Sequence, residues 1–191
     1  TALRVVNDRV EAEQRLDRLA RFDTLTGLPN RAEALGTLEA AVERLRSPGP
    51  HLGVLFCDVD NFKGINDKWG HRVGDVVLAS LATRIRESVR QGDTVGRIGG
   101  DEILILLFGV HGLDEAVHIA EKIRSRAAEP IHESGNTVRA TLSIGVTIAI
   151  PGEPATSIIA RADAAMYQAK MAGRNSVIRV EPTQGSRPTF Q

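Results

Sequence analysis

The stretch Arg97 to Leu107, R-I-G-G-D-E-I-L-I-L-L, constrains this chain more than any other. A short β-prone run, Thr94 to Ile98, meets two glycines, then two carboxylates, then a second apolar run from Ile103 to Phe108. That order predicts a β-hairpin whose tight turn carries Gly99, Gly100, Asp101 and Glu102. Glycine tolerates positive φ and lets a backbone come close to a ligand. Paired carboxylates just past such a turn suit a divalent metal or proton handling. Taken alone, the turn reads better as an ordinary acidic hairpin, so any function rests on what surrounds it.

The surroundings are those of a globular domain. A chain of 191 residues with 42% apolar and 25% charged residues can bury a real core as one domain. Acidic and basic residues balance at 24 each, so no whole-chain basic field exists to attract nucleic acid, which is not an expected partner. The single cysteine, Cys57, excludes an internal disulfide and fits a reducing, cytoplasmic compartment. It lies in an apolar run and reads as a small buried hydrophobe. No apolar stretch reaches the length of a membrane span, and no signal peptide opens the chain. A start at Thr1 leaves room for a longer protein with a membrane or sensor segment upstream.

Residues 1–21 are polar, charged and free of Gly and Pro, which predicts a helix. Leu3, Val6 and Val10 begin a heptad stripe, Glu13 and Asp17 break it, and Leu16 and Leu19 continue in a shifted register. A solvated lead-in helix and the end of a marginal coiled coil joining two chains are equally good readings. The segment D-T-L-T-G-L-P-N-R, Asp23 to Arg31, is a structured loop broken by Gly27 and Pro29. A helix follows from Asn30 to Arg46, then a strand from His51 to Val59 whose nearly continuous apolar run suits a central position. Its end, C-D-V-D-N-F-K, puts Asp58, Asp60 and Lys63 at a strand edge, where functional groups collect. Gly64 to Asp75 reads as a polar, glycine-rich connection before a helix ending near Arg90. Beyond the hairpin come a helix over 113–127, strands within 130–150 turning at Gly135-Asn136, a helix over 155–171 stopped by Gly173, and a short strand at 177–180. Domain boundaries follow: a helical lead-in over 1–21, a folded unit over 22–180, and a linker-like tail over 181–191. The fold class is α/β of the α+β kind, a central, mostly antiparallel sheet flanked by helices.

If the 51–59 strand lies beside the hairpin, Asp58 and Asp101 can share a metal with Lys63 close by. Carboxylates, a divalent metal and a lysine are what phosphoryl transfer needs, because acidic groups alone repel a polyphosphate. Six stretches in order then resemble one family: D-T-L-T-G-L-P-N-R, D-V-D-N-F-K-G-I-N-D, W-G-H-R-V-G-D, R-I-G-G-D-E-I, L-S-I-G-V and A-D-A-A-M-Y-Q-A-K-M-A-G-R-N. From Asp23 to Val177 the chain resembles a GGDEF domain, the diguanylate cyclase family.

The resemblance implies a fold like the palm of nucleotidyl cyclases and polymerases. It implies condensation of two GTP into cyclic di-GMP and two pyrophosphates across an antiparallel homodimer, because each 3′-hydroxyl must meet the α-phosphate of the other nucleotide. By motif position, Asp58 and Asp101 resemble side-chain ligands of Mg²⁺, for which Mn²⁺ is a substitute, and the Val59 carbonyl a backbone ligand. Glu102 resembles the second acid of the motif, either a metal ligand or the acceptor of the 3′-hydroxyl proton. Lys63, Lys170 and Arg174 match phosphate contacts. Gly99 and Gly100 match the turn that passes close to the phosphates. Asn66 and Asp75 match guanine contacts, and a carboxylate there accepts from groups that adenine lacks. Arg90-Gln91-Gly92-Asp93 matches the family's RxxD inhibitory site, so Arg90 and Asp93 are expected to bind the product.

The signature departs from the family at Ile103, where phenylalanine is usual. The expectation is lost aromatic volume beneath the metal site, at a folding cost of about 1–3 kcal/mol. A regulatory module that binds GTP or cyclic di-GMP without making product, attached to a further sensor or effector domain, is the alternative. Trp69, Met166 and Tyr167 read as packing residues.

Overall fold

The structure is a computed structural model that describes residues 2–182. In chain order its elements are α1 (Ala2–Arg21), α2 (Arg31–Arg44), β1 (His51–Val59), α3 (Phe62–Trp69), α4 (His71–Ser88), β2 (Thr94–Arg97), β3 (Glu102–Val110), α5 (Leu113–Ala127), β4 (Ile131–Glu133), β5 (Asn136–Val138), β6 (Leu142–Ala149), α6 (Ala155–Met171) and β7 (Ser176–Arg179). Residues 183–191 of the expected linker lie outside the described residues.

β1 is the hub. Residues 52–59 are buried throughout, as a strand covered on both faces must be. It lies between β3 and β6 in a five-stranded sheet ordered β2-β3-β1-β6-β7. The first four strands pair antiparallel, and β7 alone joins parallel to β6, on either side of α6. The central sheet is therefore mostly antiparallel. The period-two alternation divides the core. Leu55, Cys57, Ile103, Ile105 and Leu107 face α4 and α5, whereas Val54, Phe56, Leu104 and Leu106 face α2 and α6. β4 and β5 form a separate ribbon. Its turn is Ser134-Gly135, both at positive φ, one residue earlier than the sequence suggests.

Gly64 to Asp75 is not a loop. It contains most of α3 and the start of α4, broken at Gly70, whose φ is +86°. Gly64 survives inside α3 because the Asn61 side chain lies in the space a Cβ would fill. Only Ile65 of α3 is buried, so the segment carries almost no periodic signal.

α1 stands apart: from Leu3 to Arg21 every residue is exposed, including Leu16 and Leu19. It joins the domain through Asn30, which caps α2 by accepting the Glu33 N–H and donates to the Ala20 carbonyl. Among the described residues no helix is long and apolar enough to cross a membrane.

Candidate active site

The antiparallel register sets Asp58 opposite Glu102 and ties the Val59 N–H to the Asp101 carbonyl at 3.2 Å. The end of β1 and the signature turn are thus one unit. Asp58 shares the sheet face of Phe56, and α6 packs on that face. The last turn of α6 brings Lys170 Nζ to 2.6 Å from Asp58 Oδ2. The other oxygen, Asp58 Oδ1, is buried and has no hydrogen-bond partner among the described residues. Burial pushes the Asp58 carboxyl up to about 7; the adjoining Asp101 carboxyl adds to the rise and the Lys170 ammonium opposes it.

These residues fit a divalent cation. An orphaned carboxylate oxygen beside a second carboxylate offers hard oxygen donors, the kind Mg²⁺ takes. Among the described residues no three acidic, histidine or cysteine side chains converge to hold an ion unaided. A site here needs substrate oxygens to complete it, which is how Mg²⁺ is usually held beside phosphates.

The turn owes its shape to contacts that local sequence does not reveal. Neither Gly99 nor Gly100 lies in the left-handed φ region. A Cβ at Gly99 would meet the Glu102 carboxylate folded over it, so the glycine leaves room for that side chain to lie back across the turn. Arg97 grips the turn from outside, donating to the Gly100 carbonyl at 2.7 and 3.1 Å and to Asp23 at 3.1 Å. Arg31 donates to the Ile98 carbonyl, and the Arg97 N–H to the Pro29 carbonyl. The loop after α1 therefore buttresses the signature turn. Asp23 and Arg97 lie 74 residues apart, so nothing in the sequence pairs them.

Burial raises the Asp23 carboxyl, but the Thr26 hydrogen bonds and the Arg97 guanidinium outweigh it and hold it below the usual range. A carboxyl depressed in the folded state stabilises above its unfolded value and loses that contribution as pH falls through the folded one. Arg97→Ala is expected to cost about 1–3 kcal/mol in urea unfolding at pH 7. The difference from the parent should shrink below about pH 4. A cost that stays constant down to pH 2 would contradict this pairing.

The two guanine candidates meet at the α3–α4 corner. The Asn66 amide occupies the place of a Gly74 side chain, next to Asp75 in the first turns of α4. Gly74→Ala would drive its Cβ into Asn66 Oδ1. GTP affinity is expected to fall about tenfold while the melting temperature changes by only a few degrees, because the obstacle is a side-chain tip. Unchanged calorimetric GTP affinity would remove Asn66 from the guanine site. Lys63 is exposed in the first turn of α3, whose Asn61 cap leaves the N–H groups without a side-chain acceptor. Arg174 is exposed in the turn after α6 at φ +63°.

A family profile described as diguanylate cyclase, GGDEF domain, matches residues 20–176. The chain belongs to the GGDEF family of diguanylate cyclases. It is 42% identical over 182 residues to the bifunctional diguanylate cyclase/cyclic di-GMP phosphodiesterase MucR of Pseudomonas aeruginosa, covering 94% of this chain and 26% of that protein. It is 42% identical over 160 residues to the diguanylate cyclase TpbB of the same species, covering 82% and 37%. Of the solved structures, the coiled coil and GGDEF domain of DgcB from Caulobacter crescentus, in complex with c-di-GMP, superposes with a TM-score of 0.85 at 28% identity, covering 94% of this chain and 95% of that one. The chain thus spans well under half of the curated relatives it matches.

Within the GGDEF frame, Ile103 lies in the cluster facing α4 and α5, opposite the face of Asp58. The lost aromatic volume is therefore not beneath the Asp58 carboxylate, contrary to expectation; the change falls in the core across the sheet. The two RxxD residues differ in kind. Asp93 is buried, with Oδ2 accepting the Arg90 N–H at 2.9 Å and Oδ1 the Phe108 N–H at 3.0 Å. Arg90 is exposed, its guanidinium 3.5 Å from Glu115. Met166 packs inward, but Tyr167 is exposed rather than a packing residue.

Proposed function

We propose that this chain is a catalytically active diguanylate cyclase domain that condenses two GTP into cyclic di-GMP across a homodimer. The observation that carries the reading is the Asp58 carboxylate, paired with Lys170 on one oxygen, orphaned on the other and adjoining Asp101. Asp58, Asp101 and the Val59 carbonyl would hold Mg²⁺ or Mn²⁺. When bound, the ion neutralises phosphate charge and sharpens the nucleophilicity of the 3′-hydroxyl.

The chain's own residues do the rest. Asn66 and Asp75 orient guanine. Lys63, Lys170 and Arg174 hold the terminal phosphates, Lys170 exchanging its carboxylate partner for a phosphate oxygen. Glu102, folded over Gly99, accepts the 3′-hydroxyl proton or completes the ligand set. Each 3′-oxygen attacks the other nucleotide's α-phosphorus, the bond to the β-phosphate oxygen breaks, and pyrophosphate leaves. One protomer presents one such site, so alignment of both hydroxyls needs a second copy.

In this reading residues 1–21 bring two copies together, 22–180 carry the chemistry, and 181–191 link to a further domain. The exposed apolar positions of α1, Leu3, Val6, Val10, Leu16 and Leu19, favour a coiled-coil partner. Product inhibition acts through Arg90, which Asp93 presents by fixing the turn.

The deciding experiment is product formation from GTP and Mg²⁺, read by chromatography and mass spectrometry over a range of protein concentrations beside Asp101→Ala. Cyclic di-GMP that rises more than linearly with protein and vanishes in the variant is expected. If GTP binds but no product forms, even with α1 fused to a strong dimeric coil, the chain is a nucleotide-binding regulatory module. Arg90→Ala is expected to weaken calorimetric binding of cyclic di-GMP by about tenfold or more. Equal binding by parent and variant would displace the inhibitory site from Arg90.

A further inference from the structure

Asp60 lies two residues beyond Asp58 and is 6% exposed. Its buried carboxylate would be costly unless its lone pairs were satisfied, and they are, by neutral donors. Oδ1 accepts the Ser143 hydroxyl at 2.5 Å. Oδ2 accepts the Thr141 hydroxyl at 2.6 Å and the Asn175 N–H at 2.9 Å. The Asp60 N–H donates to the Thr141 carbonyl. One side chain thus joins the end of β1, the entry to β6 and the turn between α6 and β7.

That turn is unusual. Gly173, Arg174 and Asn175 follow one another at φ +112°, +63° and +42°. Two consecutive non-glycine residues in the left-handed region persist only where surrounding contacts impose them. The Asp60 carboxylate on the Asn175 N–H is such a contact, and Arg124 adds another by donating to Asn175 Oδ1 at 2.9 Å. The same turn carries Arg174, and the helix turn before it carries Lys170, whose ammonium reaches Asp58.

We propose that Asp60 is a positioning residue for the phosphate end of the substrate site, fastening the 173–175 turn so that Lys170 and Arg174 stand at the right reach from Asp58. The inference rests on the GTP reading given above. Asp60 acts through hydrogen-bond geometry and not through its charge. An asparagine can hold the same arrangement, its oxygen accepting from Asn175 and its amide donating to Ser143, whose hydroxyl turns to accept. An alanine leaves Asn175 and both hydroxyls without their acceptor.

The test is calorimetric binding, with Mg²⁺, of 3′-deoxy-GTP, which cannot cyclise, and of GMP, which lacks the terminal phosphates. Asp60→Ala is expected to weaken 3′-deoxy-GTP about tenfold or more and GMP by no more than about twofold, whereas Asp60→Asn stays within about threefold of the parent for both. Equal weakening of both ligands by alanine would make Asp60 a general structural residue. Unchanged binding of 3′-deoxy-GTP, or an asparagine variant as weak as the alanine one, would also overturn the proposal. If the alanine variant does not fold, Asp60→Glu takes its place. It keeps the charge but lengthens the arm, so the same selective loss is expected, and parental affinity for 3′-deoxy-GTP sinks the idea. A parent that binds neither nucleotide overturns the proposed function and this inference with it; a parent that binds 3′-deoxy-GTP beside an equally tight alanine variant overturns this inference alone.

Discussion

Asp58→Asn is expected to give a protein that folds at least as well as the parent and loses nearly all cyclase activity. The amide keeps the shape of the carboxylate, so β1 and its pairing are undisturbed. It removes a buried charge set against Asp101, and Lys170, partly exposed, remains hydrated without its partner. Cyclase activity should fall by about a thousandfold or more, the upper scale on which losing one electrostatic group at a reacting centre acts. Thermal stability without metal should hold or rise, as when strain stored at a functional site is relieved. The pH dependence has a definite sign. A carboxyl raised by folding binds more protons in the folded than in the unfolded state, so metal-free stability falls as pH climbs from about 4 towards about 7. That slope should flatten in the variant, as should the rise in melting temperature that Mn²⁺ or Mg²⁺ gives the parent at neutral pH. A variant that keeps both the slope and the metal-induced shift would place the cation site elsewhere.

Gly145→Ala is expected to disrupt folding, because the added methyl meets backbone and not a movable side chain. Gly145 lies in the middle of β6, paired with Phe56 of β1 on one side and Ile178 of β7 on the other. A Cβ there would run into the Ala162 carbonyl oxygen and the Met166 nitrogen, and would stand 2.9 Å from the Ala165 Cβ. The first two are backbone atoms of α6 and cannot rotate away. The helix must lift from the sheet, opening the packing of Ala162 and Met166 on Phe56. A loss above the usual overpacking cost of about 1–3 kcal/mol, or failure to fold, is the expected outcome in urea unfolding. Should the variant fold, Lys170 will have moved with α6, and nucleotide affinity should drop with stability. A melting temperature within a few degrees of the parent would mean that α6 does not approach the sheet this closely.

Much of the architecture is legible in the chain because it is written locally. The apolar run of β1, the i, i+4 stripe of α4 and the glycine after α6 each act within a few residues, so periodicity and punctuation reveal them. The helices within 64–75 give no such signal, because α3 buries one residue and keeps its glycine through an Asn61 contact that no pattern announces. Tyr167 reads as a packing residue because it follows the buried Met166, and only the docking of α6 decides that it faces solvent.

The candidate site divides along the same line. By itself the sequence named the candidates: Asp58, Asp101, Glu102 and Lys63 by residue type and their places at strand ends and turns, and Lys170 and Arg174 by motif position in the family that the chain resembles. Only the tertiary structure decided that Lys170 crosses 112 residues to reach Asp58, that Arg97 and Asp23 clamp the signature turn, and that Asp60 fastens the turn after α6. Those contacts join segments far apart along the chain. Their partners are chosen by strand order and helix docking, which depend on how the whole core packs and not on any one stretch of it.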